Sequence, residues 1–558
     1  MSNKMKIFCK NLGEYIPFTG GESLSEIFNR LSNRINITPI CARVNNKTED
    51  MQYPVFSPKQ VEFLDRNSAS GQRVYIRSLC MMLYKAVTDC CPKGTRLRIE
   101  HSIARGYYCR LIGENIVVDL NLIDALRAKM DELVKRNIPF KRKESLTTDV
   151  IKIFEEQGLY DKVQLLKTTH NLYTVYYQLD DICDSYYGNL APTTSMLATF
   201  DLEPYKDGFL LLGPDPQNEN RPVRPIQQEK MFEAFTEYLA FNRIIRVSNV
   251  GELNNAVTQR HSAMLINVAE ALHDKKIGRI SDRILERYNE GGARIVLIAG
   301  PSSSGKTTFT KRLSIQLMTN LLIPQSISLD DYFINRVDTP RDENGDYDFE
   351  SLYALDLEQF NKDLNALING EEVELPYYNF ETGQREYRGN KIKLGANSVL
   401  LIEGIHGLNP ELTAGIEPKM KYSIYVSALT TLSIDDHNWV PTTDNRLLRR
   451  IIRDHKYRGV SATDTIRRWP SVRRGEEKWI FPYQENADSM FNSSLLFEIG
   501  VIKEYAEEVL KGVPHDTPEY GEAYRLRAFL SYFTPIGDDL IPSTSLLREF
   551  LGGSSFHY

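Results

Sequence analysis

Apolar residues change their spacing near residue 291, and the change predicts two differently built halves. Beyond Gly291-Gly292, short strand candidates occur at Arg294–Ala299, Gln325–Leu329, Ser398–Ile402 and Tyr422–Val426, most of them nearly continuous apolar runs, with Leu495–Gly500 as a last candidate. Strands that read as unbroken Val/Ile/Leu runs are buried on both faces. Between them, helical periodicity predicts helices over 306–320, 356–368, 445–457 and 476–492. The alternation predicts an α/β fold in which a parallel sheet is flanked by helices. Ligands of such sheets collect beyond the carboxyl ends of the strands.

The front half is mixed. Met5–Cys9 and Tyr15–Phe18 pattern as a hairpin, Leu24–Ile35 as an amphipathic helix and Pro39–Val44 as a strand. A helix over Arg73–Ala86 precedes strand-like Leu97–Glu100 and Tyr107–Leu111, then helices at Ile123–Arg136 and Thr148–Gln157. Met231–Ile280 reads as largely helical and leads into the second half.

Length changes the picture first: 558 residues exceed one ordinary core, so several domains are expected. The net charge of −6 argues against tight non-specific nucleic-acid binding by the whole chain. No apolar run approaches a membrane span and MSNKMKIFCKNLGEY lacks a signal-peptide core, so a cytoplasmic protein without membrane partners is expected. The 7 cysteines are odd in number and irregular in spacing, as for reduced thiols, and all precede residue 184.

Candidate chemistry concentrates after the apolar runs. Residues 300–307 read GPSSSGKT, a GxxxxGK[ST] loop between a strand and a helix. In that setting the loop amides and the helix N-terminus converge on phosphate oxygens. Gly300, Ser302, Ser303, Ser304, Gly305, Lys306, Thr307 and Thr308 are therefore the expected ATP contacts, with Lys306 on the β/γ-phosphates and the Thr307 hydroxyl on Mg²⁺. Asp330 and Asp331 follow the next apolar run; one of them can take the proton of an attacking hydroxyl or bind Mg²⁺, and Asp330 is preferred as the residue ending the strand. Glu403, at the end of SVLLI, is a second Mg²⁺ candidate, since a carboxylate there needs a cationic partner.

Arg446, Arg449, Arg450, Arg453 and Arg458 share one predicted helix, whose other face is Leu447, Leu448, Ile451 and Ile452. Packing on that apolar face would present the guanidiniums outward, toward a transferring phosphoryl group. Arg467, Arg468, Arg473 and Arg474 form a second basic cluster that could continue a lid. Aromatic and acidic residues at 347–356 and 376–388 suit a pocket for a planar, hydroxylated substrate. Tyr378 and Phe380 would sandwich a ring there, and Glu350 would bind a sugar diol. Asn361-Lys362-Asp363 lies on an amphipathic helix rather than after a strand, which disfavours a GTPase.

Taken in order, GPSSSGKTT, SLDDYF, YDFES, PYYNF, IEGIHGL and RLLRRIIRDHKYRG resemble the uridine kinase/phosphoribulokinase family of P-loop kinases over about Ile295–Ser494. The resemblance implies Asp330 as catalytic base, Glu350 on ribose hydroxyls, Tyr378 near a base, Glu403 linked to Mg²⁺, and Arg450 with Arg458 as lid arginines. Departures from the pattern are DDYF, Gly383 at a position often histidine in nucleoside kinases, Val460 in place of a further lid arginine, and an apparent insertion over Tyr425–Asp444. The first 65 residues resemble a TGS domain, a β-grasp module. Residues 70 to about 240 resemble the second additional domain of threonyl-tRNA synthetases through IEHSIARGYYCRL, without its histidine pair: the matching helix carries Arg77 and Met81. Editing chemistry is not expected from it.

The expected organisation is a TGS-like domain (1–65), a synthetase-like α+β domain (66–240), a helical connector (241–285), a P-loop kinase domain (286–500) and a helical C-terminal segment (501–558). The expected activity is transfer of the γ-phosphoryl group of ATP to a nucleoside 5′-hydroxyl, uridine or cytidine first. Alternatives are another small alcohol or sugar phosphate as acceptor, or an ATP-gated RNA-binding regulator. A small ligand or RNA acting through the front half, and a homo-oligomer, complete the expectations.

Overall fold

A computed structural model describes residues 5–114, 116–343 and 345–557. The second half is organised by five parallel strands: β1 (Ile295–Ala299), β2 (Ile323–Ser328), β3 (Ser398–Glu403), β4 (Lys421–Ser427) and β5 (Ser489–Asn492), in the order β2-β3-β1-β4-β5. Four further elements matter below: helices α1 (Ser262–Asn289), α2 (Lys306–Thr319), α3 (Thr442–Arg458) and α4 (Ala462–Trp479).

Strand alternation divides the apolar runs between two cores. Val296, Ile298, Val399 and Leu401 face Phe309, Leu313 and Leu317 of α2 and Ile277, Ile280 and Ile284 of α1. Ile295, Leu297, Leu400 and Ile402 face Phe360, Leu364 and Leu367 of helix Leu357–Ile368. Both faces of β1 and β3 are thus covered, which is why their sequences show no polar alternation. Helix α1 belongs physically to this layer, for Arg312 on α2 pairs with its Glu270 (3.2 Å) and Asp274 (2.8 Å).

Two sequence expectations fail here. The last strand is Ser489–Asn492, not Leu495–Gly500; the latter residues lead into helix Glu498–Lys511, drawn inward by pairing of buried Glu498 with Arg449. The helix expected over 476–492 is instead α4 followed by a 3₁₀ turn, Phe481–Asn486, with Pro482 at its start and the strand after it. Proline favours that first-turn position because its missing N–H has no partner to lose there.

The front half begins with a β-grasp: a five-stranded sheet in the order Glu14–Pro17, Lys6–Cys9, Gln60–Leu64, Cys41–Val44, Lys47–Glu49, packed against helix Leu24–Leu31. Next, helix Ala69–Cys90 runs through a larger core beside an antiparallel four-stranded sheet (Asp201–Tyr205, Gly208–Leu212, Gly106–Ile112, Arg96–Ile103). Arg77 and Met81 are buried within that helix.

The segment read as an insertion has a definite job in the fold. Its hairpin, Ser433–Asp435 with Asn438–Trp439, reaches from the second half to the core around helix Ala69–Cys90, where Trp439 packs. Lys162 lies 2.9 Å from both Asp184 and Asp435, His437 is 2.8 Å from Asp184, and Arg96 grips Asp436 at 2.5 Å. Burial alone would raise the Asp184 pKa, but Lys162 and His437 hold it well below the usual carboxylate range. Lys162, Asp184, Asp435 and His437 have so little access to water that their charges must be paired, so they tie the halves in one registration. Among the described residues, no helix is long and apolar enough to cross a membrane.

Candidate active site

The parallel register fixes the site. Glu403, the last residue of β3, stands level with Ile298 on β1 and Ser328 on β2, so its side chain emerges at the carboxyl edge beside the loop between β1 and α2. Gly305 caps α2 with φ +84°, and a Cβ there would also collide with Leu546. Glycine is therefore required both by the turn and by close approach.

Lys306 donates from Nζ to the carbonyls of Gly300 (2.9 Å) and Pro301 (3.2 Å), lying along the loop it belongs to. The Thr307 hydroxyl donates to Glu403 (3.1 Å), and Thr310 reaches the same carboxyl at 3.4 Å. Burial, aided by Asp330 and Glu549, pushes the Glu403 pKa up to about 7 despite Lys306 and Thr307. Burial likewise lowers the Lys306 pKa, against the pull of Glu403 and Asp330. Glu350 is pushed up to about 7, first by burial and then by Glu476, with Arg450 and Lys306 opposing. These causes place Lys306, Asp330, Glu350 and Glu403 in one electrostatic neighbourhood.

The two aspartates separate cleanly. Both lie in a 3₁₀ turn, Leu329–Tyr332, so the strand ends at Ser328 rather than at Asp330 as the sequence reading had it. Asp330 is exposed, and its charge acts on both Lys306 and Glu403. Asp331 turns away to accept the Tyr378 N–H at 3.3 Å, and burial with the Asp330 charge pushes its pKa up to about 6.

The arginine helix also differs from expectation. Arg446 and Arg449 are almost wholly inaccessible, at 1% and 0%, instead of lining an open face. Helix α3 is enclosed because α4 and helix Glu498–Lys511 each bring a carboxylate to it: Arg446 pairs with Glu476, and Arg449 with Glu498. Both arginines also hold the phosphate-binding loop, Arg446 through the Ser302 carbonyl (2.9 Å) and Arg449 through that of Ser303 (3.3 Å). Arg450 donates to the Ser302 hydroxyl at 2.9 Å, so it does reach the loop. Arg458 does not; it is half-exposed at the far end of α3 and pairs with Asp454 at 3.2 Å.

Tyr378 and Phe380 are no open sandwich. Their rings meet edge to face at 5.0 Å, with Phe333 packed on both, and that spacing leaves no slot for a third ring. Tyr378 is buried in the core while Phe380 is exposed. Phe380 opens the turn just after the strand Val373–Asn379 that carries Tyr378, which brings the two rings together.

Sequence reasoning missed Glu476, which accepts the Ser302 N–H at 3.2 Å, and Glu549, which reaches Thr308. They lie 174 and 241 positions from their partners, and no local pattern marks a contact at such separation. Gly475 was also missed; a side chain there would strike Glu350, so α4 sits directly on that carboxylate.

A phosphate-binding loop at the carboxyl edge of a parallel sheet, with strand-end carboxylates facing it, defines the P-loop kinase class. Residues 295–495 match the Phosphoribulokinase / Uridine kinase family. The uridine kinase of Staphylococcus aureus (strain JH9) is 30% identical over 198 residues, covering 35% of this chain and 84% of that protein. The chain belongs to the phosphoribulokinase/uridine kinase family. The threonine–tRNA ligase of Syntrophotalea carbinolica is 26% identical over 163 residues, 29% of this chain. The chain spans only 26% of that ligase's length. Among solved structures, the D-glycerate 3-kinase of Cryptococcus neoformans is similar at 12% identity and a TM-score of 0.27, covering 38% of this chain and 89% of that one.

Proposed function

We propose that the protein transfers the γ-phosphoryl group of ATP to the hydroxyl of a small acceptor, with a nucleoside 5′-hydroxyl, uridine or cytidine, as first choice. The observation that carries this reading is the Thr307–Glu403 hydrogen bond (3.1 Å) at the end of the 300–307 loop, with Asp330 and Glu350 within electrostatic reach of Lys306. Loop amides and Lys306 would bind the phosphates. Asp330 accepts the acceptor's hydroxyl proton as its oxygen bonds to the γ-phosphorus, the bond to the bridging β,γ-oxygen breaks, and ADP leaves. Arg450, already on Ser302, is placed to neutralise charge on the moving group.

Thr307, Glu403 and Asp330 offer hard oxygen donors, and one or two carboxylates beside substrate phosphates suit Mg²⁺. The ion, when bound, would neutralise phosphate charge. Glu350, whose pKa burial and Glu476 push up to about 7, would be shared between its protonated and ionised forms near pH 7 and so could donate as well as accept toward an acceptor hydroxyl.

The uridine kinase likeness supports a nucleoside acceptor. The test is ADP release with ATP and a panel of nucleosides, sugar phosphates and small alcohols. Pyrimidine nucleosides should lead the panel; turnover with none of its members counts against kinase activity, and a lead by another class replaces only the acceptor.

A further inference from the structure

The segment Ser545–Leu551 lies on the phosphate-binding loop. Glu549, only 8% exposed, places Oε2 2.8 Å from the Thr308 hydroxyl and 3.3 Å from the Thr308 N–H. Thr308 sits in the first turn of α2, where backbone N–H groups lack partners within the helix and serve phosphate oxygens in loops of this kind. A carboxylate oxygen and a phosphate oxygen accept from such donors along the same direction. Both cannot be held at once, and two anions so close repel strongly away from bulk water.

The carboxylate does not arrive there by chance of a mobile side chain. Leu546 is buried against Gly305, and Phe550 lies under the Arg449 guanidinium with 5.0 Å from ring centre to guanidinium carbon. Ser545 donates to Glu270 of α1 at 2.5 Å, Arg548 holds the Ile541 carbonyl at 2.8 Å, and Lys456 donates to the Leu551 carbonyl. The segment is thus seated by apolar contact on both sides of Glu549, the carboxylate it brings to the loop and the start of α2. Lys306 in the same structure is turned onto the loop carbonyls. The cradle is occupied from within.

We propose that the Glu549 carboxylate is an intramolecular stand-in for a nucleotide phosphate, and that Ser545–Leu551 loosens from the loop when nucleotide seats. This rests on the ATP reading above and adds a self-imposed brake to it. Apparent affinity then equals the intrinsic affinity reduced by the fraction of molecules with the segment released. An anion near the phosphates that had to be displaced would lower it further.

The test uses the full chain. Calorimetric titration with ATP is run on the wild type, Glu549→Gln and Leu546→Ala, with hydrogen exchange followed at residues 545–551. Glu549→Gln keeps an acceptor but removes the charge; Leu546→Ala loosens the seat without touching Thr308 and covers the case in which the first variant folds poorly. Each is expected to lower the ATP Kd about fivefold or more, and ATP should speed exchange across 545–551 in the wild type. Unchanged or weaker affinity in the folded variants, or exchange that ATP leaves alone or slows, overturns the brake while the ATP reading stands. No ATP binding by any of the three overturns both.

Discussion

Glu403 carries the clearest conflict between stability and function. Its pKa is pushed from 4.5 to about 7, chiefly by burial. Between those values the folded state binds a proton that the unfolded state has released, so stability contributed at this position falls as pH rises from about 5 through 7. At about 1.4 kcal/mol per pKa unit, the ionisation penalty grows by roughly 2 kcal/mol between pH 5.5 and pH 8, and water reaching the half-open site reduces that to about 1–2 kcal/mol. Glu403→Gln keeps shape and the Thr307 contact but cannot ionise. Without nucleotide or Mg²⁺, the variant should therefore gain about 1–2 kcal/mol over wild type at pH 8 relative to the difference at pH 5.5. Urea unfolding at both pH values measures this, and ADP release should fall by at least about 10²-fold in the same preparation. An advantage equal at the two pH values, or larger at pH 5.5, refutes the assignment of burial as the dominant cause.

Lys306→Ala and Asp330→Ala should each reduce turnover about 10²-fold or more with unfolding midpoints near wild type, read by ADP release and circular dichroism; retention of full turnover by either removes its role. Arg449→Met should destabilise by about 3–5 kcal/mol in urea unfolding, because Glu498 is left buried without its cation. Tyr378→Phe should leave stability unchanged or raise it by about 1 kcal/mol, since the buried hydroxyl has no hydrogen-bond partner among the described residues. A raised KM for the acceptor in that variant would mean instead that the hydroxyl touches substrate.

Some of this was legible along the chain because the physics is local. Continuous apolar runs bounded by Gly and Asp predict buried parallel strands, and GPSSSGKT needs only its neighbours to turn a strand into a phosphate-facing helix. Glu403 could be picked out for the same reason: an acid ending an apolar run has one place to go. The Arg446–Arg458 stripe reads falsely because periodicity reports which residues share a face, not what covers it. Carboxylates from α4 and helix Glu498–Lys511 covered it, and ion pairing turned a solvated face into a buried clamp on Ser302 and Ser303.

Tyr378 and Phe380 misled in a similar way, two aromatic residues in a loop-like stretch being equally suited to a ligand or to each other. Asp330 and Asp331 are indistinguishable as neighbours; only the 3₁₀ turn leaves one exposed and sends the other to the Tyr378 amide. Local spacing determined the P-loop, the sheet that presents it and the family it belongs to, since those depend on residues a few positions apart. Tertiary packing alone decided which carboxylates meet the loop, because Glu476, Glu549 and the Lys162–Asp184–Asp435 cluster join segments whose encounter depends on how whole layers stack.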